Sequence, residues 1–406
     1  MAWLRGACVA LLLMVALNGL AAAQPAPAEQ PPRIGIVTMT PGHEYWARFG
    51  HNAIVVEDPA QGPALSYNYG YFDFDQPGFF TRFMRGDMRY RLVALPLEAD
   101  LRGYAADGRG AQLQWLDLRP EQAIALRDFL AWNALPENAE YRYDYFTDNC
   151  STRVRDAIDH ALGGGLARQL GGRSHGLTYR GEALRLGAGV PWLLVGMHAG
   201  LGPFADRPLS LWDEAFVPRR LADALDRAEN TDGGALVAVH QPLLPDRLAL
   251  ERPAAPDLRW TFAWIGLGLA LALAWLLRRG AGRASRLAGS AVAASIWTLC
   301  GLGGLVMLAL WTLTSHISAW GNENLLLFNP LCLVLLAALP ALARGGPVPR
   351  WLRRVAHLVL AAAALALFLR FLPFRVQNNG DFIVLLAPVH AVLAWHMARR
   401  DAPAGH

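Results

Sequence analysis

Hydrophobic and polar positions divide the chain into three stretches. Residues 1–23 and most of 258–397 are near-continuously apolar, whereas 30–257 mixes both classes as a water-soluble domain does. Inside that middle region, Arg33–Met39 and Phe49–Val56 are short apolar runs, the second ended by Asp58-Pro59. Leu65–Phe74 alternates with aromatics, and Met88–Leu97 alternates Tyr90, Leu92 and Ala94 against Arg89, Arg91 and Val93. All four read as strands, with Leu113–Leu118 as a further short one. Helical spacing takes over at Pro120–Ala134, where Ala123, Leu126, Phe129 and Leu130 share a face and Pro120 suits a first turn. It returns at Ser151–Ala161 through Val154, Ala157, Ile158 and Ala161. Glu140–Phe146 is extended and aromatic, and the rest, to about 256, reads as helical and irregular. Strands first and helices later predict an α+β domain with a small antiparallel sheet.

The two apolar ends have different signatures. Residues 1–23 pair Arg5 with an apolar run and the small residues Ala21–Ala23, the pattern of a secretory signal peptide. Gln24–Pro32 is a flexible lead-in. After 257, five apolar segments (about 260–277, 290–314, 325–341, 355–372 and 381–397) approach the length needed to cross a bilayer, the third and fifth being short. Arginines alternate between the loops. Arg278, Arg279, Arg283 and Arg286 follow the first segment; Arg344, Arg350, Arg353 and Arg354 follow the third; Arg399 and Arg400 follow the last. The loop 315–324 has none, and 373–380 has only Arg375. The positive-inside rule then places 33–257 outside the cytoplasm, the tail 398–406 inside, and about five helices in a bacterial cytoplasmic (inner) membrane.

Composition narrows the possibilities. Of 406 residues, 54% are hydrophobic and 17% charged, against about 25% charged in a soluble protein. The net charge is +4, and with no Lys in the chain every basic residue except His is one of 37 Arg. Many of them flank the apolar segments, where they set topology, so the basic balance does not point to nucleic acid. No nucleotide-binding loop follows the glycine runs, and no metal-ligand spacing occurs. No cofactor is expected.

Of the four cysteines, Cys8 lies in the leader, Cys300 and Cys332 in apolar segments, and Cys150 alone in the exported region. It stands in Tyr143-Asp-Tyr-Phe-Thr-Asp148-Asn149-Cys150-Ser-Thr-Arg153, at the start of a predicted helix that Asp148 or Asn149 would cap. Free amides and the helix dipole there favour a thiolate. A lone cysteine is more often inert packing. If it is a nucleophile it needs a base, and His51, at the entry to a strand after Gly50, is preferred over His43, His160, His175 and His198. A third group would orient the imidazole: Asn68, Tyr67 or Asp73, with Asn68 favoured as short and mid-strand. His43 and Arg153 are candidate substrate-binding groups, and so are His316, Asn322 and Asn324 in the polar loop, because polar groups at membrane depth tend to line cavities. Trp320 in that loop also reads as a membrane-interface residue.

Three stretches carry a resemblance: Phe49-Gly-His-Asn-Ala-Ile54, Tyr67-Asn-Tyr-Gly-Tyr-Phe-Asp-Phe74 and Tyr145-Phe-Thr-Asp-Asn-Cys-Ser-Thr-Arg-Val-Arg-Asp-Ala-Ile-Asp159. With Trp320-Gly-Asn-Glu-Asn-Leu-Leu326 and Asn329-Pro330-Leu331, they make the chain resemble the Lnb-type family over most of 33–397. The exported domain is also similar to circularly permuted papain-like hydrolases, including the lecithin:retinol acyltransferase group. The resemblance implies a lipoprotein intramolecular transacylase-like activity with Cys150 as nucleophile and His51 as base. The expected fold is a permuted papain-like α+β domain followed by an all-α membrane region, and the expected partner is a membrane lipid or lipoprotein. Two other readings stand beside acyl transfer: a papain-like cysteine peptidase or amidase acting on peptidoglycan, and a non-enzymatic lipid-binding or assembly protein of the envelope.

Overall fold

The computed structural model describes residues 30–399. The predicted leader, most of the lead-in, Arg400 and the rest of the tail lie outside the described residues. Seven strands form one sheet: β1 (Arg33–Met39), β2 (His51–Glu57), β3 (Leu65–Tyr71), β4 (Met88–Pro96), β5 (Ala111–Leu116), β6 (Glu140–Tyr143) and β7 (Val237–Leu244). Their order is β6-β4-β3-β2-β1-β5-β7, and every neighbouring pair is antiparallel.

The central strands are apolar without alternation because both faces are covered. On one face Ile34, Ile36, Ile54 and Val56 pack with Leu126 and Leu130 of α3 (Pro120–Asn133) and with Val154 and Ile158 of α4 (Cys150–Ala161). On the other, Val37, Met39, Val55 and Leu113 meet Leu97, Leu101 and Tyr104 of α2 (Leu97–Ala106). A short α1 (Phe79–Arg85) projects between β3 and β4 and buries none of its residues.

The α+β class is as expected, but α1 and α2 form where the sequence pattern predicts no element, and the irregular stretch before 256 contains β7. That strand lies at the sheet's edge and includes Pro242, which lacks an N–H and which an edge strand can accommodate.

Beyond 257 the chain is helical. α7 (Arg259–Leu276), α8 (Arg283–Leu313), α9 (Arg350–Leu369) and α10 (Gly380–Ala398) are each long and apolar enough to cross a membrane. The third apolar segment is not one long helix: a single turn at 323–326 is separated by Asn329-Pro330 from a 13-residue helical run, Cys332–Arg344. Pro330 has no N–H to continue a ladder, and the Asn329 side chain instead accepts from the N–H of Leu331 at 3.0 Å. The arginine-bearing ends meet one another: Arg286 Nε donates to Ala343 O at 3.3 Å, and Arg279 to Arg399 O at 3.1 Å.

The opposite end of the bundle receives the N-terminal domain. Between β6 and β7 in the chain, α5 (Tyr179–Gly187) leads to α6 (Pro191–Gly200), whose last carbonyls, without partners inside the helix as at every helix end, face the bundle. Asn322 Nδ2 donates to Ala199 O and Gly200 O at 2.8 and 3.0 Å, and Asn324 Nδ2 to Ala199 O at 2.9 Å. His198 Nε2 lies 3.0 Å from Asp381 Oδ2 at the start of α10. Buried Arg180 steadies the same corner, pairing with Asp206 and donating to His198 O and Leu201 O at 2.6 and 2.8 Å.

Candidate active site

The site forms where β2 begins, β3 bulges and α4 starts. Asn149 is the cap of α4: its Oδ1 accepts from Thr152 N–H at 2.9 Å, while its own N–H donates to Thr152 Oγ1 at 2.7 Å. A reciprocal cap of this kind is worth about 1 kcal/mol and fixes the helix start at the residue that follows, Cys150. One residue on, Ser151 Oγ donates to Asn52 Oδ1 at 2.9 Å, and Asn52 Nδ2 to Thr38 Oγ1 at 2.7 Å. The helix start is thereby tied to the strand residue beside His51. Gly70, at φ +91°, lets the helix approach: a Cβ there would stand 3.5 Å from the Cys150 Cβ and would require a backbone shape that other residues rarely adopt.

The side chains then line up. Cys150 and His51 are close neighbours, each near enough to shift the titration of the other. His51 Nε2 donates to Asn68 Oδ1 at 3.0 Å, which fixes the tautomer and leaves Nδ1 for the thiol. Asn68 Nδ2 is held by Asp100 Oδ2 at 3.0 Å and Ser66 Oγ at 3.1 Å, and Ser66 Oγ donates to the same carboxylate oxygen at 2.7 Å. Tyr104 stacks on the imidazole at 6.4 Å, and the Arg109 guanidinium lies 4.6 Å from the Tyr104 ring.

Burial works against a Cys150 thiolate. The His51 charge, its hydrogen bond and the N–H groups of Asn52 and Ser151 outweigh burial and hold the thiol below its ordinary 9.0. Burial likewise works against a charged His51. The neighbouring thiolate, the bonds to Cys150 and Asn68 and the Asp100 carboxylate raise the imidazole above its ordinary 6.5. Each group therefore favours the charged form of the other. Burial pushes Tyr141 and Tyr143 well above the usual phenol range, so both are neutral donors. The Tyr141 hydroxyl is buried without a hydrogen-bond partner, 3.8 Å from the same point over Gly70 that lies 3.5 Å from the Cys150 Cβ.

Residues 28–180 match the Lnb N-terminal periplasmic domain, and residues 260–400 match the Lnb transmembrane domain. The chain belongs to the Lnb family. It is a membrane protein with a periplasmic domain. Searches against curated proteins and against solved structures gave no match.

In this Lnb-family chain the sequence-selected residues do not all meet at the thiol. Cys150, His51 and Asn68 come together as described. Arg153 points to Asp148, one of its bonds measuring 2.7 Å, and lies over Tyr141 at 4.3 Å. His43 is exposed on the loop after β1. His316, Asn322 and Asn324 meet the periplasmic domain instead of the thiol: His316 Nε2 lies 3.0 Å from Phe83 O, and both asparagines bind the helix end near Ala199. Sequence reasoning passed over Asp100, Tyr104, Arg109 and Tyr141. The first three lie on or just after α2, a helix not foreseen, and Tyr141 was one tyrosine among several in an aromatic run. Among the described residues no cluster of His, Cys, Asp and Glu is arranged to hold a metal ion.

Proposed function

We propose that this protein is a membrane-bound, cysteine-dependent acyltransferase of the cytoplasmic membrane. It moves an acyl chain from a lipid glycerol ester to an amine, the N-terminus of a lipoprotein being the acceptor that the family resemblance implies. The observation that carries the reading is the convergence of Cys150, His51 and Asn68, with the imidazole bonded to Asn68 and its charge set beside the thiol, in a domain seated on its own membrane helices.

The Cys150 thiolate attacks the ester carbonyl, and the carbonyl oxygen becomes an oxyanion. The free Tyr141 hydroxyl and the N–H groups around the sulfur are the donors for that charge. As the carbon–oxygen bond breaks, His51 gives its proton to the departing glycerol oxygen, leaving a thioester. The amine then attacks the thioester, His51 takes its proton, and the carbon–sulfur bond breaks to restore the thiolate. Asn68, backed by Asp100 and Ser66, keeps the imidazole aimed throughout. Aromatic walls at Tyr141 and Tyr143 limit water and favour transfer over hydrolysis. They also support a lipid substrate over a wall peptide, which asks for polar contacts along an open groove.

The test is to incubate purified full-length protein, and Cys150→Ala, with a diacylglyceryl lipoprotein in detergent and follow both by mass spectrometry. The expected result is an acyl mass first on Cys150 and then on the lipoprotein N-terminus, both lost in Cys150→Ala. An unmodified lipoprotein and an unmodified Cys150 with folded protein would overturn the reading.

A further inference from the structure

The periplasmic domain carries an apolar surface that its own core does not need. Tyr45, Trp46, Phe74, Phe80, Met84 and Trp192 are 43%, 46%, 52%, 72%, 55% and 65% exposed. Most of these rings are in mutual contact: Tyr45 lies 4.6 Å from Trp46 and 6.0 Å from Trp192, and Trp46 lies 5.6 Å from Phe74. Phe74 in turn meets Phe79, on α1 beside Phe80, at 5.2 Å. A contiguous exposed apolar patch of this kind marks an interaction surface.

Its depth is fixed by hydrogen bonds. The N–H of Ser315 donates to Arg85 O at 2.8 Å, and His316 Nε2 lies 3.0 Å from Phe83 O. Both contacts tie α1 to the residues directly after α8, a 31-residue apolar helix that keeps Trp311 and Leu313 exposed to its end. At 1.5 Å per residue that helix outruns a bilayer core of about 30 Å, so its end stands in the interface. Gly86 makes the contact possible: a Cβ there would come within 2.9 Å of the backbone of Ser315 and His316. Arg82 and Arg85 fall in the last turn of α1, as suits a helix lying among lipid headgroups.

Behind this surface, rings run inward to the thiol. Phe79 stacks on Phe72 at 6.0 Å, Phe72 on Tyr90 at 5.1 Å, and Tyr90 meets Tyr143 at 4.5 Å. Tyr143 and the Cys150 Cβ lie 3.8 and 3.5 Å from one point over Gly70.

We propose that this aromatic face is immersed in the outer leaflet of the bilayer, and that α1 is the place where a lipid acyl chain leaves the membrane and passes along Phe79, Phe72 and Tyr143 to Cys150. The immersion stands on exposure and depth alone; the passage rests on the acyl-transfer reading.

Two measurements separate these parts. Full-length protein carrying Phe80→Cys in a Cys150→Ser background is labelled with bimane and reconstituted in phosphatidylcholine–phosphatidylglycerol vesicles with doxyl groups on the acyl chains. The unsubstituted Cys150→Ser protein sets the background, and Asp232→Cys, on an exposed loop, is the water-facing control. At least twofold stronger quenching at position 80 than at 232 is expected; equal quenching overturns the immersion. In the second, Phe80→Asp combined with Met84→Asp is assayed for acyl-Cys150 formed from vesicle phospholipid and from a soluble short-chain ester. The ratio of the two rates is expected to fall at least tenfold. An unchanged ratio overturns the passage, whether or not both rates drop together. Absence of acyl-Cys150 from either ester in the unsubstituted protein would overturn the acyltransferase reading, while the quenching still decides the immersion.

Discussion

Two buried polar networks in this molecule use the same residue types for opposite ends. Beneath the periplasmic domain, Asn322, Asn324 and Gln377 direct their amide N–H groups at backbone carbonyls of 199–201 or at one another. Those partners are fixed parts of the fold, and the result is a joint. Around the thiol, Asn68 and His51 form a line that ends on a titratable sulfur, with the free Tyr141 hydroxyl and a free nitrogen of Arg109 nearby. A line whose last member can change protonation, beside donors with nothing to bind, is suited to a reacting group. The lesson is that asparagine and histidine content marks burial of polarity, and the identity of the final partner separates a joint from a site.

Substitutions should separate the two networks. The largest effect is expected at Cys150→Ala: acyl-enzyme formation disappears, read by intact mass, while the melting temperature stays within a few degrees. A large drop in melting temperature would make the cysteine a packing residue. Tyr141→Phe removes one proposed oxyanion donor and should lower the acylation rate about 100-fold. Its alkylation rate by iodoacetamide should hardly change, since the thiolate itself keeps its partners; equal losses in both assays would place Tyr141 outside the transition state.

The pH profile tests the pairing. The thiol lies below its ordinary value and the imidazole above its own, and both shifts favour the ion pair over the neutral pair. Alkylation should therefore persist below pH 9 and be lost as pH falls through the lowered Cys150 value. In His51→Ala the burial that raises the thiol stays while the compensating charge is gone, so the alkylation profile should move to higher pH. Superimposable profiles would dismiss His51 as the partner.

Smaller effects should mark the supports. Asn68→Ala should slow acylation about tenfold by freeing the imidazole, with most of the loss recovered in Asn68→Gln if carbonyl placement is what matters. Asn322→Ala leaves helix-end carbonyls less well satisfied, at a cost of about 1–3 kcal/mol. It should speed proteolysis near Gly200 and lower the melting temperature, with acylation from a soluble ester reduced only a few-fold. The reverse pattern, intact stability and lost acylation, would return Asn322 to the substrate site that its sequence setting suggested.

Much of the site was readable because its signals are local. Asn149 and Cys150 fall where apolar spacing changes from extended to helical, and a cap is a property of adjacent residues. His51 and Asn68 were preferred for their places at a strand entry and mid-strand, 17 residues apart, and their 3.0 Å contact is made only by the pairing of β2 with β3. Asp100 was invisible because α2 has a weak apolar stripe, so nothing in the spacing after Leu97 marks a helix. The third apolar segment was already legible as short and interrupted at Asn329-Pro330, because Pro330 lacks the N–H that a continuous helix needs.

The sequence by itself determined the partition into a soluble domain and an apolar helical region, the strand-rich first half, the helix that begins at Cys150 and the sidedness of the arginines. These follow from periodicity, capping and charge, which act over a few residues or through the bilayer. Tertiary structure alone decided that Asp100 stands behind Asn68, that the Tyr141 hydroxyl is left free beside the sulfur, and that the polar membrane loop caps a helix of the periplasmic domain. Each depends on packing between segments tens to hundreds of residues apart, where sheet register and the closing of buried hydrogen bonds choose the partner.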